Sequence, residues 1–465
     1  MRRPPVRLRL AAALALAASA AAPLPAAQPV DFGSADDLFE RGGGAELPDG
    51  STLRLSAGPA YLDAWRLGLG AEFDAELGRF SLGLEETLHP AAGGLYAPEL
   101  DEPYDLARSL RYLRLNPTAT QPLYARLGPP ERVTLGTGAL VRGFSASPAP
   151  DEATVGLEAA AQLGDVRLAG FASDLRLRGV VGAEVEARTR TRLGRVAGVP
   201  LGGLALGASV VHDLDGAGLS GDSSLTGVEL VARAELFDDP AFSVGPYVSA
   251  AQLLGRGRAV SVGVEARAPN LGNAARARAR VGVVVHGAGY QTGVVGPLYA
   301  VQNERTRIVE ADSYYDDAPG VRLAGTPLDS ARAGVDLVVD LRVLAFGRFE
   351  VTQHLRRHVG ADRGSAFGAR LAARGPRDSR IELAVERQGF RGVLALFRGL
   401  GEENRLTLDV GVPLGDRLRA FVRSRYGYRL LRDDRPLYDG APEVGPGRTL
   451  VERRFEPFVG LRLGV

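Results

Sequence analysis

Alternation of apolar and polar residues constrains this chain more than any other feature. Successive side chains on a strand point to opposite faces, so a strand lying between lipid and water must alternate. From Trp65 the sequence runs W-R-L-G-L-G-A-E-F-D-A-E-L. Trp65, Leu67, Leu69, Ala71, Phe73 and Ala75 fall on one face, and Arg66, Glu72, Asp74 and Glu76 on the other. A helical period would scatter those charges around an axis; period two sorts them. The pattern returns around Val181–Ala187, Val228–Leu236, Val260–Ala266, Ala277–Val285, Ala333–Leu341 and Leu406–Val412.

Register is costly to violate. An arginine on the lipid face near mid-membrane costs roughly 2–4 kcal/mol. Slipping the strand that carries Arg276, Arg278 and Arg280 by one residue would turn all three outward, so they are assigned to the lumen. Short connections are expected at 163–165, 237–241, 345–347, 375–379 and 413–416, and long ones at 88–107, 214–226, 287–330 and 430–448. Outer-membrane barrels have short periplasmic turns and long external loops. With the short turns at the periplasm, the C-terminal stretch 450–465 descends to a periplasmic end. Two stretches resist: 380–398 reads as two strands or one, with up-down parity favouring one, and 123–144 poses the same question. The fold class is all-β, a transmembrane antiparallel up-and-down barrel of about 18 strands, within a range of 16 to 20. A soluble β-sandwich, solenoid or propeller is the alternative, because alternation also fits a sheet with one face in water.

The first residues read as an address. Arg2, Arg3, Arg7 and Arg9 precede a short apolar run, and small residues follow near Ala20 and Ala27. This is the layout of a secretory signal peptide, too short to span a bilayer. The division is therefore 1–27 signal peptide, 28–50 a short periplasmic segment or lumen stopper, and 51–465 barrel. Ser34, Asp36 and Asp37 suit the start of a short helix within the second piece. There is no cysteine, so neither a lipid anchor on sulfur nor a disulfide is possible. The formal charge is +1, and −3 once the four leader arginines are removed, which argues against a nucleic-acid partner.

The C-terminal stretch Phe455-Glu-Pro-Phe458-Val-Gly-Leu-Arg-Leu-Gly-Val465 resembles the sorting signal of outer-membrane barrels, although it ends in valine where that signal usually ends in an aromatic. Leu123-Tyr-Ala-Arg-Leu-Gly128, followed by Val133-Thr-Leu-Gly-Thr-Gly138, is similar to a segment of uncharacterised porin-like outer-membrane barrels of Gram-negative-type bacteria. That resemblance covers about 20 residues and brings no catalytic residue with it. It implies an outer-membrane location after export, with membrane lipids and the barrel-assembly machinery as partners.

Charged lumen residues are the leading functional candidates, because rings of charge select ions in pores. Arg276, Arg278, Arg280, Arg332, Arg342, Arg417, Arg419, Arg423 and Arg425 form positive patches, offset by Glu184, Glu186, Glu229, Glu235, Asp336 and Asp340. Opposite charges that merely pair across strands are the simpler explanation. Residues 287–330 carry Tyr290, Tyr299, Tyr314 and Tyr315, with Glu310, Asp312, Asp316 and Asp317. That stretch either folds inward as a constriction, binds a cation or glycan outside, or covers the rim. Its acidic run has no calcium-loop spacing, so no metal and no cofactor is assigned. No G-x-S-x-G is present. His212 and Asp213 are adjacent on a strand and so face opposite ways, and His286 has no evident partner. An outer-membrane enzyme ranks third. A porin-like channel for passive or weakly selective passage of small polar solutes ranks first, and a non-transport barrel acting through its external loops second.

Overall fold

In the computed structural model the described residues lie between 52 and 464, apart from 301–331, 389–403, 433–448 and shorter connecting stretches. The signal peptide and the 28–50 segment lie outside them. So do Glu235, Tyr314 and Tyr315, and the side chains of Arg276, Arg332, Asp340 and Arg342.

Strands β1 (Thr52–Tyr61), β2 (Trp65–Leu77) and β3 (Phe80–Leu88) open the sheet, followed by a two-residue-per-side hairpin, β4 (Pro90–Ala91) and β5 (Gly94–Leu95). Then come β6 (Leu110–Leu115), β7 (Leu123–Gly128), β8 (Gly156–Leu163), β9 (Val166–Ala172) and β10 (Val180–Arg188). A second hairpin, β11 (Gly194–Val196) with β12 (Val199–Leu201), precedes β13 (Leu204–Asp213) and β14 (Thr226–Ala234). The run continues with β15 (Phe237–Asp239), β16 (Phe242–Leu253), β17 (Gly257–Leu271), β18 (Ala275–His286) and β19 (Arg332–Ala345). It ends with β20 (Phe349–Val359), β21 (Ala366–Arg374), β22 (Arg380–Gln388), β23 (Asn404–Pro413), β24 (Leu418–Arg432) and β25 (Thr449–Gly464).

Among the described residues the main sheet has 21 strands, each antiparallel to its neighbours. Short β15 pairs with β16 beyond the end of β14 and continues the β14 edge. The ring therefore has about twenty positions, within the range the alternation sets. It closes on itself: β1 pairs with β2 on one side and with β25 on the other. Closure leaves no edge strand, the condition for crossing a membrane with strands. The architecture is that of an outer-membrane β-barrel.

The two faces separate as the period requires. Val281, Val283 and Val285 stand outward and exposed, while Arg278, Arg280, Val284 and His286, on the opposite parity, are buried inside. In β17, Val260, Val262 and Val264 point out, and Ser261 and Glu265 point in. Tyr61 and Trp65 pack edge to face outside one end, 5.5 Å between ring centroids. Phe80 and Phe242 are exposed at the other end, so aromatic side chains mark both levels at which a membrane interface would lie. Where strands cross closely inside, Gly263 and Gly282 face each other beneath the Tyr247 ring. A Cβ on Gly282 would sit 2.2 Å from the tyrosine hydroxyl.

One end of the ring carries the tight turns at 78–79, 164–165, 272–274 and 414–417, together with the start of β1 and the end of β25. The opposite end carries 89–109, 129–155, 214–225, 287–331 and 433–448. Most long connections gather at one end as read from the sequence, but the tight turns 62–64 and 254–256 share that end, and the longer connection 189–203 lies at the other. At 380–388 a single strand pairs with β21 and β23, in line with parity. The stretch 123–144 follows neither pattern: six residues form β7, and the chain then leaves the wall.

Candidate lumen site

The departure begins at Gly128, whose positive φ of 144° turns the chain away from β6. Two prolines follow, and neither can donate to a ladder. Arg126 satisfies what the interrupted ladder leaves, donating to the Pro129 carbonyl at 2.9 Å and the Arg111 carbonyl at 3.4 Å. Residues 133–144 then double back within the barrel, with Val133 and Phe144 exchanging backbone hydrogen bonds of 3.0 and 2.9 Å. At the tip, Gly138 N–H donates to Leu135 O at 2.8 Å, and Gly136 and Gly138 take φ of 60° and 76°. A side chain at Gly136 would also place a Cβ 2.5 Å from the Glu229 carboxylate. Glycine alone fits that corner.

A second inward segment, 287–299, locks onto the first. Val141 and Val295 form a parallel bridge, Arg142 N donates to Val295 O, and Val295 N donates to Leu140 O, both at 3.0 Å. Tyr290 Oη donates to Ala139 O at 2.9 Å, and Tyr299 Oη donates to Asp213 at 2.6 Å. Burial pushes both tyrosine hydroxyls well above their ordinary range, and Asp213 adds to the effect at Tyr299. The two segments share one apolar cluster: Leu135, Leu140, Val141 and Phe144 pack with Tyr290, Val294, Val295 and Tyr299. They rest on inward-facing Phe171, Val180, Val211, Leu253 and Val284 from the wall. The structure therefore folds 287–299 inward. Tyr290 and Tyr299 are buried and offer nothing to an external ligand.

Polar groups fix this plug to the strands from β10 to β19. Glu184 accepts Gly136 N–H at 2.9 Å; Glu229, fully buried, accepts Thr137 N–H at 3.1 Å and the Thr137 hydroxyl. Arg142 makes a two-pronged pair with Asp336, at 2.5 and 3.0 Å. Arg280 approaches the same carboxylate at 3.1 Å and donates to Thr137 O. Arg233 pairs with Glu186 and reaches Gly136 O at 3.2 Å. Arg278 pairs with Glu265 at 3.1 Å.

Of the sequence candidates, Glu184, Glu229, Arg280 and Asp336 meet the plug directly, while Glu186 pairs with Arg233, which reaches the plug, and Arg278 pairs with Glu265. Arg276, Arg332, Asp340 and Arg342 hold strand positions on β18 and β19, with Arg278 directly across from Asp340 and Arg276 across from Arg342. Arg419 lies across from Arg462 on β24 and β25. Arg417 is corrected: it sits in the exposed turn before β24 and not on a strand face, because the strand starts at Leu418. His212 binds the Thr226 hydroxyl at 2.9 Å, while buried Asp213 receives Tyr299 from the other face, so the two do not form a dyad. Among the described residues, no group of three or more His, Cys, Asp or Glu is arranged to hold a metal ion.

A second charged cluster lies across the lumen on the strands around the β25–β1 seam; of its members only Arg423 was a candidate from the sequence. Asp74 receives Arg54 at 2.9 Å, Arg111, and the Tyr112 hydroxyl at 2.8 Å. Glu72 receives Arg462 at 2.8 Å and Arg54 and Arg423 at 3.5 Å each. Arg423 also pairs with Glu85 at 2.7 Å and Asp409 at 3.2 Å. Its strand faces were readable, since Glu72 and Asp74 alternate with apolar residues, but its partners come from opposite ends of the barrel sequence, Glu72 with Arg462.

No protein-family model and no curated protein sequence matches the chain. Among solved structures it is similar to OpdO of Pseudomonas aeruginosa, at 12% identity and a TM-score of 0.32, over 90% of this chain and 97% of that one. It is also similar to the outer membrane protein opdK of the same organism, at 11% identity and a TM-score of 0.28, over 89% and 98%. The siderophore receptor PirA of Pseudomonas aeruginosa matches at 10% identity and a TM-score of 0.35, over 90% and 81%. The class assignment stands on the strand pairing of this chain itself.

Proposed function

We propose that the chain is a porin-like channel for passive or weakly selective passage of small polar solutes, with a fixed internal constriction. The supporting observation is the plug: two segments fold into the barrel and pack against one wall, while several charged side chains of the opposite wall, Arg54 and Glu85 among them, keep partial exposure. A barrel of sixteen or more strands leaves an aqueous channel unless loops or a plug fill it. Here the plug is bound to one side. The mixture of paired positive and negative groups on both walls favours weak selectivity. The reading assigns no catalytic step to the chain. Its partners are membrane lipids, the assembly machinery that would insert the barrel, and small solutes.

The test is single-channel conductance of the refolded chain in a planar bilayer at two salt concentrations. Steady steps that scale with salt support an open aqueous pore. A folded, heat-modifiable barrel that stays silent refutes the channel, and binding through the external loops then becomes the better account.

A further inference from the structure

Resting on the channel reading, we infer that ions cross along the seam wall, and that Glu85 and Asp409, set against Arg423, determine which sign of ion the pore prefers. Three observations lead there. Charged side chains beneath the plug are almost dry: Asp336, Glu186, Glu265, Arg278 and Arg280 each retain only 3–6% exposure. Across the ring, Arg54, Arg111, Glu85 and Asp409 retain 22–26%. Water therefore reaches these four seam-wall charges, whereas Asp74 and Glu72 beside them and the charges beneath the plug are nearly sealed.

The apolar cluster explains the difference. Phe171, Val180, Val211, Leu253 and Val284 face inward beneath the plug, so that wall is built to be covered. The seam wall has a much smaller apolar patch, Ala60 with Phe421 and Phe458, and its inward positions are otherwise rich in charge.

The geometry makes Arg423 the pivot. It meets Glu85, Asp409 and Glu72 within 3.5 Å, and of these carboxylates Glu72 is nearly buried while the other two are wetted. Rings of charged side chains set ion preference in pores, and only groups reached by water in the path can do so. Removing the two wetted carboxylates leaves Arg423 and Arg111 undercompensated beside the path, which favours anions. Removing Arg423 leaves the carboxylates in excess, which favours cations. A charge change on the sealed wall leaves the preference unaltered.

The experiment measures reversal potential in a salt gradient for the refolded full chain and three variants: E85Q/D409N, R423Q and, on the sealed wall, R278Q. The expected result is a shift toward anions for the first, toward cations for the second, each several-fold in permeability ratio, and none for the third. Asp409→Asn alone serves if the double variant does not fold. The native chain has no cysteine, so a second measurement uses single reporters, Asp409→Cys on the seam wall and Ser261→Cys on the sealed wall. A charged maleimide should modify the first at least tenfold faster. A conducting pore whose reversal potential is unmoved by E85Q/D409N and R423Q overturns the inference while the channel stands. So does equal labelling of the two cysteines. Fast labelling at position 409 in a barrel that never conducts retires the channel and leaves the wetted wall in place.

Discussion

Replacing Asp336 by asparagine removes the carboxylate that holds the plug to β19. In the native chain it is 2% exposed and takes two bonds from Arg142 and a third from Arg280. Asparagine keeps the shape but has one accepting oxygen in place of two and no charge, so it leaves two buried positive charges facing each other with no anion between them. Breaking a buried ion pair by removing one partner costs about 3–5 kcal/mol, mostly because the charge left behind is uncompensated. The retained amide oxygen places D336N near the lower figure, about 3 kcal/mol. At about 1.4 kcal/mol per factor of ten, opening of the plug becomes on the order of 100-fold easier. Hydrogen exchange reads this directly at the Arg142 and Val295 amides, which are bonded to Val295 O and Leu140 O. Arg142→Leu should cost less, since Asp336 keeps Arg280 and no charge is stranded. Exchange altered less than about threefold by D336N, in a barrel that still migrates as folded, would falsify the assignment of Asp336 as the plug's anchor. A larger effect from Arg142→Leu than from D336N would contradict the stranded-charge argument.

Three further outcomes are expected. Gly136→Ala forces a Cβ onto a left-handed residue, at roughly 1–2 kcal/mol, and against the Glu229 carboxylate; exchange of the Thr137 amide should accelerate while the outer strands keep their protection. Val283→Arg puts a charge on the exposed outer face, which costs roughly 2–4 kcal/mol if Val283 lies near mid-membrane; urea titration in lipid vesicles should show a lower midpoint, and an unchanged one would place this strand outside the membrane. Tyr290 and Tyr299 have hydroxyls raised by burial, so their contribution to stability is complete below the unfolded tyrosine pKa of about 10. It falls away as pH rises above that value toward the folded pKa. An absorbance titration should show both ionising only as the barrel unfolds, and early ionisation of either would show that it is exposed to solvent.

Much of the barrel is legible because period two is a strong signal where lipid lies on one side. Val260, Val262 and Val264 of β17 and Val281, Val283 and Val285 of β18 could face only outward once Glu265, Arg278 and Arg280 were turned in. The ends were largely legible because most long connections share one of them. The plug was not, for a physical reason: 133–144 follows neither period, since it packs against apolar residues within the lumen and faces no lipid. What does mark it is Val133-Thr-Leu-Gly-Thr-Gly138, whose two glycines at positive φ are needed for the corner over Glu229. Partners were the least legible. Alternation tells which face Glu72 and Glu85 occupy but not that Arg423, 338 residues beyond Glu85, returns beside them when the ring closes.

That closure also bears on whether the plug moves. Its apolar cluster includes large side chains from both inward segments and from five wall strands, and full burial of one such side chain contributes roughly 1.5–3 kcal/mol. Lifting the plug as a unit would expose several of these at once, together with the inward-facing valines and the phenylalanine beneath. The cost would exceed that of the Asp336 anchor alone. The charged contacts therefore set where the plug sits, and the apolar contacts keep it there. Loss of one anchor should loosen amides locally without emptying the lumen. Conductance in D336N should then change less than exchange does, because the path along the seam wall is already free of the plug.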